Sequence, residues 1–309
     1  MKPLIHYRRI VFHTVKRVFG IANLTALQRR LQRKLERLIY RKKFTAKDLL
    51  EQMKRQGLKP GSTLIVHCAM NNFYNYRGTV NEIIDTILDY IGPEGTLCMP
   101  AFPYDKENPN RVFDVRNAKT AAGLLAETFR NYPNVQRSLN QLHSVCALGR
   151  NAEYICGDHQ NSLVCFDEHS PFYKIGELGG LSFNLGLPKW FIGTGGHVCE
   201  ALLFHKPGFT LFDKKFTDYT KFTYIDRDGH TVEHCMYTGL SQPYIRNRTT
   251  RVIDKYFDKT KYHRSRLSNI WINSFDMKYL IERLTELALQ GITIYTTPRF
   301  SPDMHGALS

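Results

Sequence analysis

Where a polar loop runs into an apolar, β-branched segment, the stretch Gln136-Arg137-Ser138-Leu139-Asn140-Gln141-Leu142-His143-Ser144-Val145-Cys146-Ala147-Leu148-Gly149 sets a histidine beside a serine. The apolar half reads as a buried strand, so His143 sits where loop meets sheet, a place where α/β enzymes keep reactive groups. An imidazole there takes up a proton near neutral pH, and the adjacent hydroxyl can give or accept one. The plainer alternative is that the two only satisfy each other's hydrogen bonds. Other groups are weaker. Gly193-Thr194-Gly195-Gly196, expected to follow a strand over residues 189–192, could cradle a phosphate but lacks both the dinucleotide fingerprint and the Lys-Ser/Thr of a P-loop. His197 and Glu200 stand three apart at the start of a helix and read as a polar pair at a cleft edge. Cys156, His159, Cys165 and His169 are metal-capable, yet their gaps are not those of a zinc site, and no metal is expected. Cys68, next to His67 in an apolar strand, reads as buried rather than as a nucleophile.

The elements that must hold these groups follow in order. Thr45 is an N-cap with Asp48 three residues on, a capping-box pattern for a helix that stops at Gly57. Pro60-Gly61 precedes a strand over residues 62–69. A helix over 79–90 carries Val80, Ile83, Ile84, Ile87 and Leu88 on one face, and Pro93-Glu94-Gly95 turns the chain into a strand over 96–100. Strand, helix and strand in that order demand a parallel pair and a right-handed crossover, so the class is α/β. After a polar loop, a helix over 120–132 with Leu124, Leu125 and Phe129 inward leads to His143. Short helices over 151–156 and 173–178 come next. Residues 221–225 and 231–237 alternate in polarity around Asp228-Gly229, a hairpin read as an antiparallel extension of the sheet. A helix over 276–290 and a strand over 292–295 close the chain.

The net charge of +15 is concentrated at one end, since residues 2–43 hold 13 Lys and Arg against Glu36 alone. Leu24, Leu27, Leu31, Leu35 and Leu38 recur every three or four residues there, which makes residues 1–43 a basic amphipathic helical arm ahead of a single domain over 44–309. Such an arm packs on its own protein or a second subunit, lies on an anionic membrane surface, or meets nucleic acid; the leucine stripe suits the first use best, and nucleic acid least. Seven cysteines, an odd number at irregular spacings, point to a reducing cytoplasm rather than a disulfide framework. No apolar run approaches the roughly 20 residues that span a bilayer, so membrane contact would be peripheral.

In their order and spacing, Ser62-Thr63-Leu64-Ile65-Val66-His67, Arg77-Gly78-Thr79, Gly92-Pro93-Glu94-Gly95-Thr96-Leu97-Cys98-Met99-Pro100, Phe113-Asp114, Arg137-Ser138 with His143-Ser144-Val145, Ser170-Pro171 and Gly193-Thr194-Gly195 resemble the aminoglycoside 3-N-acetyltransferase family. The resemblance implies an α/β/α sandwich with a mainly parallel central sheet. It also implies transfer of an acetyl group from acetyl-CoA to an amine of an aminoglycoside or other amino sugar. On this reading His143 is the general base and Ser144 stabilises the departing thiolate. Glu127 or Asp114 is the carboxylate that orients the imidazole. His67, Cys68, Ala69, Gly78 and Thr79 lie along the acetyl-CoA, and Tyr74, Tyr104, His197 and Glu200 face the acceptor. The chain departs from the family where Ala69 replaces a serine and Asn140-Gln141-Leu142 replaces His-Pro-Thr. With a mildly basic core, those departures turn the expectation toward an anionic, nucleotide-linked amino sugar of surface polysaccharide synthesis, with an aminoglycoside as the alternative. A basic binding protein without catalysis is the reading from another class. A homodimer fits either.

Overall fold

In the computed structural model, which describes residues 36–106, 108–209, 212, 216–239, 246–247 and 249–296, the chain divides into two compact units, Met1–Lys42 and Lys43–Ser309. Of the basic arm, residues 36–39 are helical and Leu38 is exposed; the apolar faces expected over 10–35 lie outside the described residues. No helix among the described residues is long and apolar enough to cross a membrane.

The second unit opens with α1 (Ala46–Arg55), β1 (Thr63–Cys68), α2 (Val80–Ile91), β2 (Thr96–Pro100), β3 (Phe113–Asp114), α3 (Leu124–Arg130), β4 (Gln136–Arg137) and β5 (Val145–Gly149). It continues through α4 (Ala152–Cys156), α5 (Pro171–Glu177), β6 (Leu181–Leu185), α6 (Val198–Leu203), β7 (Asp218–Ile225) and β8 (Thr231–Thr238). It ends with β9 (Arg246–Asn247), α7 (Thr249–Tyr256), β10 (Tyr262–Leu267), β11 (Ile270–Asp276), α8 (Met277–Leu289) and β12 (Tyr295–Thr296).

Local chemistry sets the helix starts. Thr45 and Asp48 form the reciprocal capping box of α1, Thr79 caps α2 by accepting the Glu82 N–H, and Asp276 caps α8. The strands then sort the helices into layers. Leu64, Val66, Leu97 and Met99 pack with Leu49 and Met53 of α1, Ile84 and Ile87 of α2, and Phe129 of α3. Ile65, Cys98, Val145 and Phe275 point the other way, into α4, α5, α6 and α8. Period-two alternation between two helical layers makes the expected α/β/α sandwich.

The main sheet has the order β10-β11-β6-β1-β2-β5-β4. Its parallel part is the centre, where β1 pairs with β2 and β6; β5 runs antiparallel to β2, and β11 antiparallel to β6. Several local readings are corrected. The β7–β8 hairpin does not extend this sheet but pairs with β3 in a small sheet of its own. The antiparallel extension is β11 and β10, turned at Ser268 in the left-handed region with φ 53°. Residues 189–192 are loop and not strand; the strand is β6, eight residues earlier. The third helix starts at Leu124 rather than at 120, which leaves Leu124 exposed while Leu125 and Phe129 are buried.

Candidate active site

β1 and β6 end, and β5 begins, at one edge of the sheet, because β5 runs antiparallel to β2 with Val145 opposite Pro100. His143 therefore emerges at the carboxyl edge of the parallel strands. Its N–H donates to Asn140 Oδ1 at 3.1 Å and that of Leu142 at 3.0 Å, so one buried side chain shapes the turn. The His143 ring lies 4.5 Å from the Phe166 ring, which in turn lies 5.3 Å from the ring of His197. Two imidazoles flank one phenyl, and both open into a cavity of about 410 Å³ whose walls include Lys106, Phe222 and Tyr237.

His197 ends the turn Thr194–His197, and α6 follows at once, which puts Glu200 one turn on along the same face. Glu200 is buried, and its carboxylate lies 3.2 Å from His197 Nδ1 while accepting the Tyr295 hydroxyl at 2.6 Å. With Nδ1 committed to a carboxylate, Nε2 is the nitrogen left for chemistry. At His143 the pattern differs. Lys106 Nζ lies 3.3 Å from its Nε2 and 4.8 Å above the Phe102 ring.

The structure thus gathers His143, His197 and Glu200, and it does not bring the other expected groups to them. Glu127 is bound by Arg130 at 2.7 Å and by the Thr120 N–H at 2.8 Å; burial pushes its pKa up, but these donors outweigh that and hold it below the usual range. Asp114 is held by Arg116 and Asn117, and Arg116 above all lowers it to about 2. Neither carboxylate orients His143. Ser144 is buried behind the cavity wall, its Oγ without a hydrogen-bond partner among the described residues. His67 is buried and faces Thr194, and burial raises the Cys68 thiol. Ala69 gives its N–H to Leu185, Gly78 and Thr79 are exposed at the start of α2, Tyr74 is half-buried and Tyr104 is exposed; none of these lines the cavity.

In the glycine turn, Gly195 and Gly196 lie where a Cβ would strike Met277 and Ile192, so both are needed for close packing. In the Cys/His group, His159 meets Ser138 Oγ through Nδ1 and the Cys165 carbonyl through Nε2, and Cys156 donates toward the Val145 carbonyl. Phe166, Lys106 and Tyr295 were not expected at the site. No spacing in the chain links them to either histidine.

Burial depresses the pKa of both His67 and His159 to about 3 from an ordinary 6.5. The unfolded chain therefore binds more protons than the folded one as pH falls through 6.5 toward 3, and stability is lost in that direction. Between pH 6 and 5, above most of the range where carboxylates contribute, each histidine is expected to remove about 1.2 kcal/mol per pH unit. Urea midpoints at pH 7, 6 and 5 check this, and a midpoint unchanged over that range would contradict it.

A mixed sheet between helical layers, opening at its carboxyl edge into a histidine-lined cavity, defines an α/β/α sandwich protein with an edge-of-sheet site. Residues 65–288 match the sequence model described as aminoglycoside 3-N-acetyltransferase, and the chain belongs to that family. It is 30% identical over 191 residues to aminoglycoside N(3)-acetyltransferase VII of Streptomyces paromomycinus, covering 55% of this chain and 62% of that one. The chain spans about half the length of the curated relatives it matches. Among solved structures it shares its fold with an AAC-IIIb binary complex with CoASH, at a TM-score of 0.66 and 20% identity over 81% of this chain and 98% of that chain. It is likewise similar to a histidine-to-alanine variant of aminoglycoside acetyltransferase AAC(3)-IVa in complex with a gentamicin, at a TM-score of 0.67 and 19% identity over 83% and 93%.

Proposed function

We propose that this chain is an acetyl-CoA-dependent N-acetyltransferase acting on a primary amine of an amino sugar, with His197 rather than His143 as the base. The observation that carries this reading is the buried Glu200 carboxylate at Nδ1 of His197, a histidine that itself lines a cavity of sugar dimensions. His197 Nε2 takes the proton that the acceptor's ammonium must lose. The amine nitrogen then forms its bond to the acetyl carbonyl carbon as the carbon–sulfur bond breaks; the second proton of that nitrogen goes to the CoA thiolate to give the thiol, and the proton held on His197 is released to solvent. Lys106 at the His143 ring brings positive charge for the developing oxyanion.

Gly78 and Thr79 stay in the proposal as an acetyl-CoA contact, with a restriction. A Cβ on Gly78 would strike the Glu82 carboxylate, so this helix start carries negative charge and suits the neutral pantetheine arm better than a phosphate. For the acceptor, the relatives' names support an aminoglycoside. A nucleotide-linked amino sugar is the second reading. It is favoured by the wall of the cavity, whose described lining residues include Lys106 and, as their one carboxylate, Asp218, a poor match to a polycation.

Thiol release from acetyl-CoA, measured against aminoglycosides, free amino sugars and nucleotide-linked amino sugars, tests the proposal. Acceptor-dependent release is expected, and the best acceptor chooses between the two readings. No release with any acceptor, together with no heat of acetyl-CoA binding in calorimetry, would sink it.

A further inference from the structure

Beneath the site lies a row of buried polar side chains that the proposed chemistry leaves unused. His67 on β1 stands beside Asn184 on β6, and Asn184 beside Asn273 on β11, so the three cross the sheet in register on one face. Polar groups at the heart of a sheet are costly unless they hold something. Each holds the backbone of the 188–194 loop. Asn273 Nδ2 donates to the Pro188 carbonyl at 3.4 Å, Asn184 Nδ2 donates to the Phe191 carbonyl at 3.3 Å, and the Thr194 N–H donates to His67 Nε2 at 3.2 Å. The anchored residues 188, 191 and 194 are evenly spaced, and His197 follows three further on.

Gly193 makes the last anchor possible. Its φ of 84° lies in the left-handed region, and a Cβ there would fall 2.7 Å from Ser182 Oγ and 3.1 Å from His67 Cε1. The Thr194 hydroxyl lies 3.0 Å from the same Nε2, so both polar groups of Thr194 meet one ring nitrogen of His67.

We propose that His67 is a positioning residue: through Nε2 it fixes Thr194 over the sheet and so sets the turn that presents His197 to the cavity. This replaces a contact with acetyl-CoA as the role of His67, and it rests on the proposed function for its kinetic readout alone.

His67→Leu removes the acceptor at similar size, and His67→Gln offers an amide oxygen near the place of Nε2. Leucine is expected to lower kcat by about tenfold or more while the KM for acetyl-CoA stays within about twofold, because a base displaced by a fraction of an ångström loses rate and not cofactor affinity. Glutamine is expected to restore most of the rate. Asn273→Leu, which frees the far end of the loop, should shift kcat the same way by less, and it serves if His67→Leu fails to fold. The ring nitrogen shifts of His197 in labelled protein are expected to move in the leucine variant and stay near wild type in the glutamine variant, a readout that needs no turnover. Wild-type kcat in His67→Leu, equal damage in both His67 variants, a raised acetyl-CoA KM or unmoved His197 shifts would overturn the assignment. An inactive wild type would instead strike at the proposed function, leaving the His197 shifts to decide this one.

Discussion

His197→Ala is expected to lower kcat for amine acetylation by about 10²–10⁴-fold, the range over which a positioned proton acceptor contributes, with acetyl-CoA affinity unchanged. The reason is the division of labour between the two ring nitrogens. Nδ1 faces a buried carboxylate, which fixes the ring and stabilises the imidazolium that forms once Nε2 takes a proton. Glu200→Gln should therefore lower kcat in the same direction by less, since an amide still bonds the ring but cannot balance its charge. His143→Ala is the control that decides the assignment. Its Nε2 lies 3.3 Å from Lys106 Nζ, the positive charge proposed for the oxyanion, so its loss should fall mainly on substrate affinity and oxyanion stabilisation. If His143→Ala is the dead variant and His197→Ala a mild one, the base is His143, as the sequence by itself suggests. Steady-state kinetics with separate kcat and KM for both substrates make the comparison.

What the sequence revealed follows the range of the interactions concerned. α1, β1, α2 and β2 are legible because their signals are local: a capping box at Thr45, a cap at Thr79, one apolar stripe per helix and glycine-proline turns between. β6 escaped because Ser182 and Asn184 interrupt its apolar run, and Asn184 makes sense only beside His67 and Asn273, from strands distant in the chain. Residues 189–192 looked like a strand for the converse reason, aromatic and β-branched side chains that serve to cover the sheet from a loop. At the site, residue types alone picked out His143, His197 and Glu200. Which carboxylate serves which histidine was beyond reach, since Glu127 and Asp114 are as plausible by position as Glu200, and what separates them is arginine partners that spacing does not display. The Tyr295 hydroxyl that completes the Glu200 pair comes from 95 residues away.

Arg137→Met is expected to destabilise the protein by about 3–5 kcal/mol, the cost of breaking a buried charged network. Arg137 is buried, with its guanidinium 4.7 Å over the Phe113 ring, and it donates to the carbonyls of Ala118 at 2.5 Å, Val115 at 3.3 Å and Ala101. Burial pushes its pKa down only to about 10, so it remains charged at neutral pH. Replacing a buried ion by an apolar residue can be neutral when its partner is removed with it. Here that escape is closed, because the partners are backbone carbonyls of buried residues that no substitution takes away. Each hydrogen bond from a charged donor contributes about 1.5–3 kcal/mol, and three are lost at once. Arg137→Lys should recover less than half of the loss, since one ammonium cannot reproduce a planar fork reaching three acceptors. The consequence reaches the site through the chain between those carbonyls: residues 101–118 carry Lys106 and Pro109 to the cavity wall, so the surviving folded fraction of Arg137→Met should show a raised acceptor KM. Urea midpoints at constant m-value for wild type, Arg137→Lys and Arg137→Met give the ranking, and a methionine variant within about 1 kcal/mol of wild type would mean that these carbonyls find other donors, so that the arginine does not hold the loop.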